Sequence, residues 1–257
     1  MEREENTAYQ TVLEQLLACG PLKTWSLIVT ILGDLAAGDG ARVPGPVITQ
    51  LTEPMGVKPE ALRVAIHRLR RDGWITSERD GRTSLYGLTA HGRALTRAVS
   101  DRVYGCEAEP VAGWHIVIAQ AAEAMQALDH PDMIVIGPRV ALLPGDTDEI
   151  PANILAWRAE PAEVPDWVRD IAAPEGLEAA YKALREALEA VLVLDLPTAA
   201  GPRAVLRLLA LHQWRRLVLR HGAGVDALMG PEWNGAKCRA RIGTVLALLS
   251  RPDPAEL

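Results

Sequence analysis

Arginine, histidine and small hydroxyl side chains crowd one stretch of this chain, Gly56 to Thr89, which reads GVKPEALRVAIHRLRRDGWITSERDGRTSLYGLT. Within it Arg63, Val64, His67, Arg68 and Arg71 follow one another at helical spacing, and Arg79, Arg82, Thr83 and Ser84 follow a few residues later. Guanidinium and imidazole groups presented from a helix can hydrogen-bond base edges in the major groove, and a valine can meet a thymine methyl. Guanidinium and hydroxyl groups on a following loop suit phosphate oxygens. The chemistry this pattern offers is recognition of double-stranded nucleic acid. We expect Arg63 and His67 nearest the bases, with Val64 beside a methyl group. Arg68, Arg70, Arg71, Arg79 and Arg82 are expected on phosphates, Arg70 standing close enough to the helix edge to pair within the protein instead.

Elements that would hold these groups can be read from the same stretch. Pro59 suits a first helical turn, because its missing N–H would be unbonded there and its φ is already helical, so a helix begins near Lys58. Leu62, Ile66 and Leu69 form a buried stripe, leaving Glu60, Arg63, Val64, His67 and Arg71 on the wet side. Gly73 stops the helix. Residues 74–79 read as a strand, Asp80-Gly81 as a two-residue turn, and Arg82 to Leu88 as the return strand. Helix, tight stop and hairpin make a recognition helix with a wing.

Charge points the same way. Residues 58–104 hold ten Lys/Arg against five Asp/Glu, a local +5 in a chain of net −6, so the remainder carries −11. A basic island on an acidic protein is the footprint of nucleic-acid binding. An Arg-rich helix alone would equally be a solvated face; the basic hairpin directly after it favours DNA.

At 257 residues the chain allows two or three domains, and 49% hydrophobic composition suffices for real cores. No run of eighteen apolar residues occurs, so no membrane span is expected. The acidic, polar start MEREENTAYQ lacks the features of a signal peptide, and a cytoplasmic protein is expected. Cys19, Cys106 and Cys238 are too few and too scattered for a zinc site or a disulfide framework. They are read as reduced thiols, and neither a cofactor nor a metal is expected.

Ahead of the basic stretch, residues 9–19 predict a short helix and Thr24 caps a nearly all-apolar one, TWSLIVTILGDLA. Pro46 to Met55 predicts the helix before the recognition helix, and Gly56 the tight turn between them. Thr89 caps a further helix, TAHGRALTRAVSDRVYG. Residues 113–170 read as a small sheet carrying one or two helices: GWHIVIAQ, AAEAMQALD, MIVIG, VALLPG and ILAWRAE. His115 on its apolar strand reads as a packed histidine, and Asp146, Asp148 and Asn153 as a solvated loop. From Pro174 the chain turns helical, with Leu177, Tyr181, Leu184, Leu188 and Leu192 on one face and further helices over 202–220 and 236–249.

The segments SLIVTILGD, MGV, ALRVAIHRLRRDGW, SERDGRTSLYGLT, WRRLVLR and PEWNG resemble the PaaX family of bacterial transcriptional repressors, regulators of phenylacetic acid catabolism. The resemblance implies an α+β chain with an N-terminal winged helix-turn-helix, a middle ferredoxin-like α/β domain similar to a small CRISPR-associated endoribonuclease, and a C-terminal helical domain. We place an N-terminal helix at 1–20 and these domains at 21–104, 113–172 and 173–257. The resemblance further implies a homodimer on an inverted-repeat DNA operator, released by phenylacetyl-CoA or another acyl-CoA. His212, Trp214, Arg215 and Arg216, with Trp233, are the residues that would hold such an anionic, planar effector; the plainer reading is a buried tryptophan and arginines sealing a helical interface.

Two rivals stand beside the repressor: a metal-dependent ribonuclease using the middle domain, and a winged-helix adaptor that binds protein. The nuclease needs a carboxylate at the end of the first middle strand to hold its metal. That strand ends in Ala119-Gln120, and no catalytic residue is assigned.

Overall fold

The computed structural model describes residues 2–105, 111, 113–126, 128, 130, 132–145, 150–151, 153–159, 163–173 and 175–257. The protein is a mixed α+β chain with two antiparallel sheets. Two compact units share it: residues 1–105, 183–216 and 241–257 make the first, and 106–182 and 217–240 the second. Residues 173–257, kept together in the sequence reading, are thus distributed over both.

The first unit begins with α1 (Glu2–Ala18), longer than the predicted 9–19, which buries Tyr9, Val12, Leu13 and Leu16 at helical spacing. Helix α2 (Thr24–Leu35) is buried continuously from Leu27 to Leu35, and its cap position is Lys23, one residue before the threonine expected there. Strand β1 (Val43–Pro44) leads into α3 (Gly45–Thr52), which continues as a single 3-10 turn, Glu53–Met55. Gly56, at φ +77°, makes the sharp turn that only glycine adopts readily, and α4 (Pro59–Arg71) follows.

A hairpin comes next, β2 (Ile75–Asp80) and β3 (Thr83–Leu88), with β1 on its far side in the order β1-β3-β2. Asp80 pairs with Thr83, so the two-residue loop is Gly81-Arg82, one position beyond the expected Asp80-Gly81. Gly81 takes φ +58° while no non-glycine residue described has positive φ. A turn with glycine at its first central position matches the twist of the strands it joins. Beyond the hairpin the predicted single helix is two, α5 (Ala90–Arg97) and α6 (Ser100–Tyr104).

In the second unit β4 (Trp114–Ala119), α7 (Ala122–Gln126), β5 (Ile134–Gly137), β6 (Val140–Pro144) and β7 (Ile154–Ala159) form a four-stranded antiparallel sheet ordered β5-β6-β4-β7. One face is its core: Val117, Ala119, Ala141, Leu143 and Ile154 pack with Met125 and Leu128. His115 is buried, as expected for a packed histidine, with its Nδ1 unbonded. Helix α8 (Asp166–Ala172), absent from the sequence reading, packs on β5.

Helices α9 (Leu177–Val193), α10 (Ala200–Val218), α11 (Ala223–Met229) and α12 (Asn234–Leu248) complete the chain. The predicted stripe of α9 is seen: Leu177, Tyr181, Leu184 and Leu188 are fully buried. Cys19 and Cys238 are buried free thiols, and burial pushes Cys19 up to about 11. Cys106, Asp146 and Asp148 lie outside the described residues. Among the described residues no helix is long and apolar enough to cross a membrane, and no cluster of three or more His, Cys, Asp and Glu is placed to hold a metal.

Candidate nucleic-acid interface

Helix α4 owes its orientation to Leu62, Ala65 and Leu69, which are buried and face α2 and β2. Its end is locked by glycine. Gly73 sits at φ +72°, its N–H bonds the Arg70 carbonyl at 3.1 Å, and the Trp74 N–H bonds the Leu69 carbonyl at 2.9 Å. This pair of bonds satisfies carbonyls that the last helical turn leaves open.

Thr89 then ties the hairpin's end to the helix's end. Its hydroxyl donates to the Gly73 carbonyl at 2.6 Å and accepts from the Gly92 N–H at 3.0 Å, so the residue predicted as a cap is also a clamp. Gly92 is required here, since a Cβ would collide with the Trp74 carbonyl oxygen. Helix and hairpin are therefore held in one fixed relation.

The predicted residues are on the open side. Val64 is 69% exposed, and the side chains of Arg63, Arg68 and Arg71 are 75%, 60% and 70% exposed. His67, Arg79 and Arg82 are exposed, while Thr83 and Ser84 are half-buried. They do not form one row. Arg63, Arg82, Thr83 and Ser84 line a groove of about 280 Å³ together with Ile66, which is why that residue is only half-buried. His67, Arg70 and Arg71 line a second cleft, of about 440 Å³, against Thr76 and Ser77 of β2. Arg68 points elsewhere, its guanidinium 6.0 Å from the centre of the Trp25 ring.

Ion pairing sorts these cations further. Arg63 reaches Glu60 at 3.7 Å, and Arg68 and Arg71 share Asp72 at 3.5 and 3.2 Å, all on exposed side chains where such pairs hold weakly. Among the described residues Arg70, Arg79 and Arg82 form no ion pair. Charge is therefore free at the hairpin tip and helix end.

Two cations serve the fold instead. Arg42, just before β1, holds Glu78 of β2 at 2.8 Å, and its approach depends on Gly87, where a Cβ would stand 2.7 Å from the guanidinium. Arg93 donates to the Leu88 carbonyl at 2.7 Å and pairs with Asp39 at 2.8 Å. Arg42 was missed by the sequence reading because its partner is thirty-six positions away; no periodicity reports such a pairing. Thr49, Thr76, Ser77 and Tyr86 also line the two grooves and were not singled out.

The second predicted group is placed differently. His212 and Trp214 are buried on α10. The Thr30 hydroxyl donates to the Ser26 carbonyl at 3.0 Å, leaving its oxygen to accept from His212 Nδ1 at 3.2 Å. Burial, then the neighbouring Arg215 and Arg216 charges, push this imidazole down to about 4, so it is neutral at pH 7. Trp214 Nε1 donates to the Val103 carbonyl at 2.9 Å, Arg215 to the Ser26 hydroxyl at 3.3 Å, and Arg216 to the Cys19 carbonyl at 2.7 Å. Trp233 belongs to the second unit, edge-on to Tyr181 at 5.3 Å. Four of the five thus meet in one packed layer of the first unit, and the fifth belongs to the second.

Comparison with known proteins bears on the same region. Residues 23–92, from the residue before α2 into α5, match the family described as PaaX-like protein. The transcriptional repressor PaaX of Escherichia coli (strain K12) is 27% identical over 120 residues, a match covering 46% of this chain and 38% of that protein. An uncharacterized protein of Mycobacterium tuberculosis, Rv0674, shares the fold at a TM-score of 0.55 and 21% identity, over 88% of this chain and 96% of that one. Over its N-terminal residues 23–92 the chain is thus similar to the PaaX family.

Proposed function

We propose that the protein is a DNA-binding transcriptional regulator of the repressor type, acting in the cytoplasm, with α3 and α4 as its helix-turn-helix and the β2–β3 hairpin as its wing. The observation that carries this reading is the groove shared by Arg63 of α4 and Arg82, Thr83 and Ser84 of the hairpin. On this reading Arg63 reads bases and Arg82, Thr83 and Ser84 hold phosphates from one surface, which the Thr89 clamp keeps in register. The exposed outer face of α4 enters the major groove while the hairpin tip follows the backbone. The E. coli relative, a transcriptional repressor, supports the same reading.

A homodimer would place two α4 helices in successive major grooves, about 34 Å apart, so the operator is an inverted repeat. The second unit's strand order and its antiparallel pairing support a ferredoxin-like reading for the middle domain. No enzymatic role is proposed for it. An aryl-CoA or other acyl-CoA is the proposed effector, by family likeness; at His212, Trp214, Arg215 and Arg216 it would have to displace the protein partners these side chains already hold.

The test is fluorescence anisotropy with the protein's own upstream DNA and a scrambled duplex at stated salt, with and without phenylacetyl-CoA. Tighter binding to the upstream DNA, reversed by the thioester, is the expected result. Equal binding to both duplexes, or to neither, overturns the DNA reading; specific binding unmoved by the thioester overturns only the effector.

A further inference from the structure

A cavity of about 580 Å³ opens within the first unit, walled by α1, by α3, by the segment that joins α9 to α10 and by the start of α10. Its size is that of a site for a small organic molecule. Leu51, Val205 and the ring of Pro202 supply an apolar wall. Gln10, Gln50, Tyr9 and Asp195 also line it, and among the described residues no Lys or Arg does.

Tyr9 is the telling group. It is 8% exposed and lines the cavity, and among the described residues its hydroxyl makes no hydrogen bond. Burial raises its pKa above the ordinary phenol value, so it keeps its proton and is a donor awaiting an acceptor. The hydroxyl is not among the sealed, unbonded polar atoms of the protein, so a ligand or water entering the cavity can reach it.

We propose that this cavity binds a small molecule with an apolar body and a neutral or cationic hydrogen-bonding edge, such as an amide, amidine or amine. Its acceptor atom takes the Tyr9 hydroxyl, its donors meet the glutamine amides, and a positive charge faces Asp195. Among the described residues an anion finds no counter-charge here, so the phosphates of a CoA thioester are the wrong chemistry for this site. The ligand would touch α3, the helix directly before α4. Binding itself is measured without DNA and stands whether or not the DNA reading does.

Benzamidine, benzamide and benzoate share one ring and differ in charge, and ligand-observed NMR titration against the full chain compares them. Benzamide and benzamidine should bind, benzamidine the tighter by roughly threefold, the size of an exposed ion pair, and benzoate should bind markedly more weakly than either. Asp195→Asn should remove the benzamidine advantage. Tyr9→Phe should weaken benzamide by about fivefold, one hydrogen bond's worth. Gln50→Trp, at an exposed position on the cavity wall, should abolish both without disturbing the fold. Benzoate binding as well as benzamide, no binding by any probe, or affinities unchanged in Gln50→Trp would each overturn the proposal.

Discussion

Helices α4 and α10 carry the same side chains to opposite ends. Arg63, His67, Arg68, Arg70 and Arg71 of α4 stand in solvent, whereas Arg207 and His212 of α10 are 4% and 2% exposed. The difference lies in the apolar residues between them. Helix α4 buries one stripe and keeps a wet face. Helix α10 is buried from Ala204 to Trp214 without interruption, so any polar group in that span must find a partner inside the protein. Asp34 of α2 meets Arg207 through two bonds, 2.7 and 2.9 Å, and the same guanidinium donates to the Leu246 and Leu249 carbonyls at 2.7 and 3.0 Å. Arginine and histidine therefore signal a nucleic-acid surface only where the helix leaves them a solvated side.

The contrast is broken most directly at Asp34. Asp34→Ala leaves the Arg207 charge buried and unpaired, and should lower stability by about 3–5 kcal/mol in urea unfolding. Asp34→Leu combined with Arg207→Met should lose much less. On α4, Arg70→Ala should stay within about 0.5 kcal/mol. Were Asp34→Ala as mild as Arg70→Ala, the two helices would not differ as described.

His212 sharpens the comparison through pH. Its folded pKa of about 4 lies below the ordinary 6.5, so the folded state disfavours the proton and the unfolded state takes it up first. The associated stability is whole above about pH 6.5 and is lost as pH falls toward 4, by at most about 3 kcal/mol. Unfolding of the native chain and of His212→Gln across that window should show a steeper acid loss in the native chain. Parallel curves would mean that His212 is not held neutral.

The remaining two tests act on α4 and the hairpin and should leave stability untouched. Arg63→Ala should cost about 1–3 kcal/mol of DNA affinity and relax preference at a single base pair. Arg82→Ala should weaken all sequences alike and shrink the slope of log affinity against log salt by about 1. A change of preferred sequence with Arg82→Ala would mean that the hairpin, too, reads bases.

Much of the candidate interface's backbone was legible because its signals are local. Pro59 opening a helix, a Leu62-to-Leu69 stripe and Gly73 closing it act within a few residues, as does the glycine of the hairpin turn. Even there the loop lay one residue late, because strand register belongs to the pair and not to either strand. The α10 residues were harder. Arg215 and Arg216 beside Trp214 are as suited to a planar anion as to packing, and the letters do not say which carbonyls stand opposite.

Periodicity, turn glycines and charge placement thus specified α4, the hairpin and their basic surface from the chain alone, since each depends on backbone geometry over one or two helical turns. Tertiary folding decided which cations are available: Arg42 drawn onto Glu78, Arg93 onto Asp39, and Arg207 onto an aspartate 173 positions away. It also formed the cavity at Tyr9, whose walls come from segments nearly two hundred residues apart. Coulombic pairing and burial depend on distance through space, and that distance is set only when the helices pack.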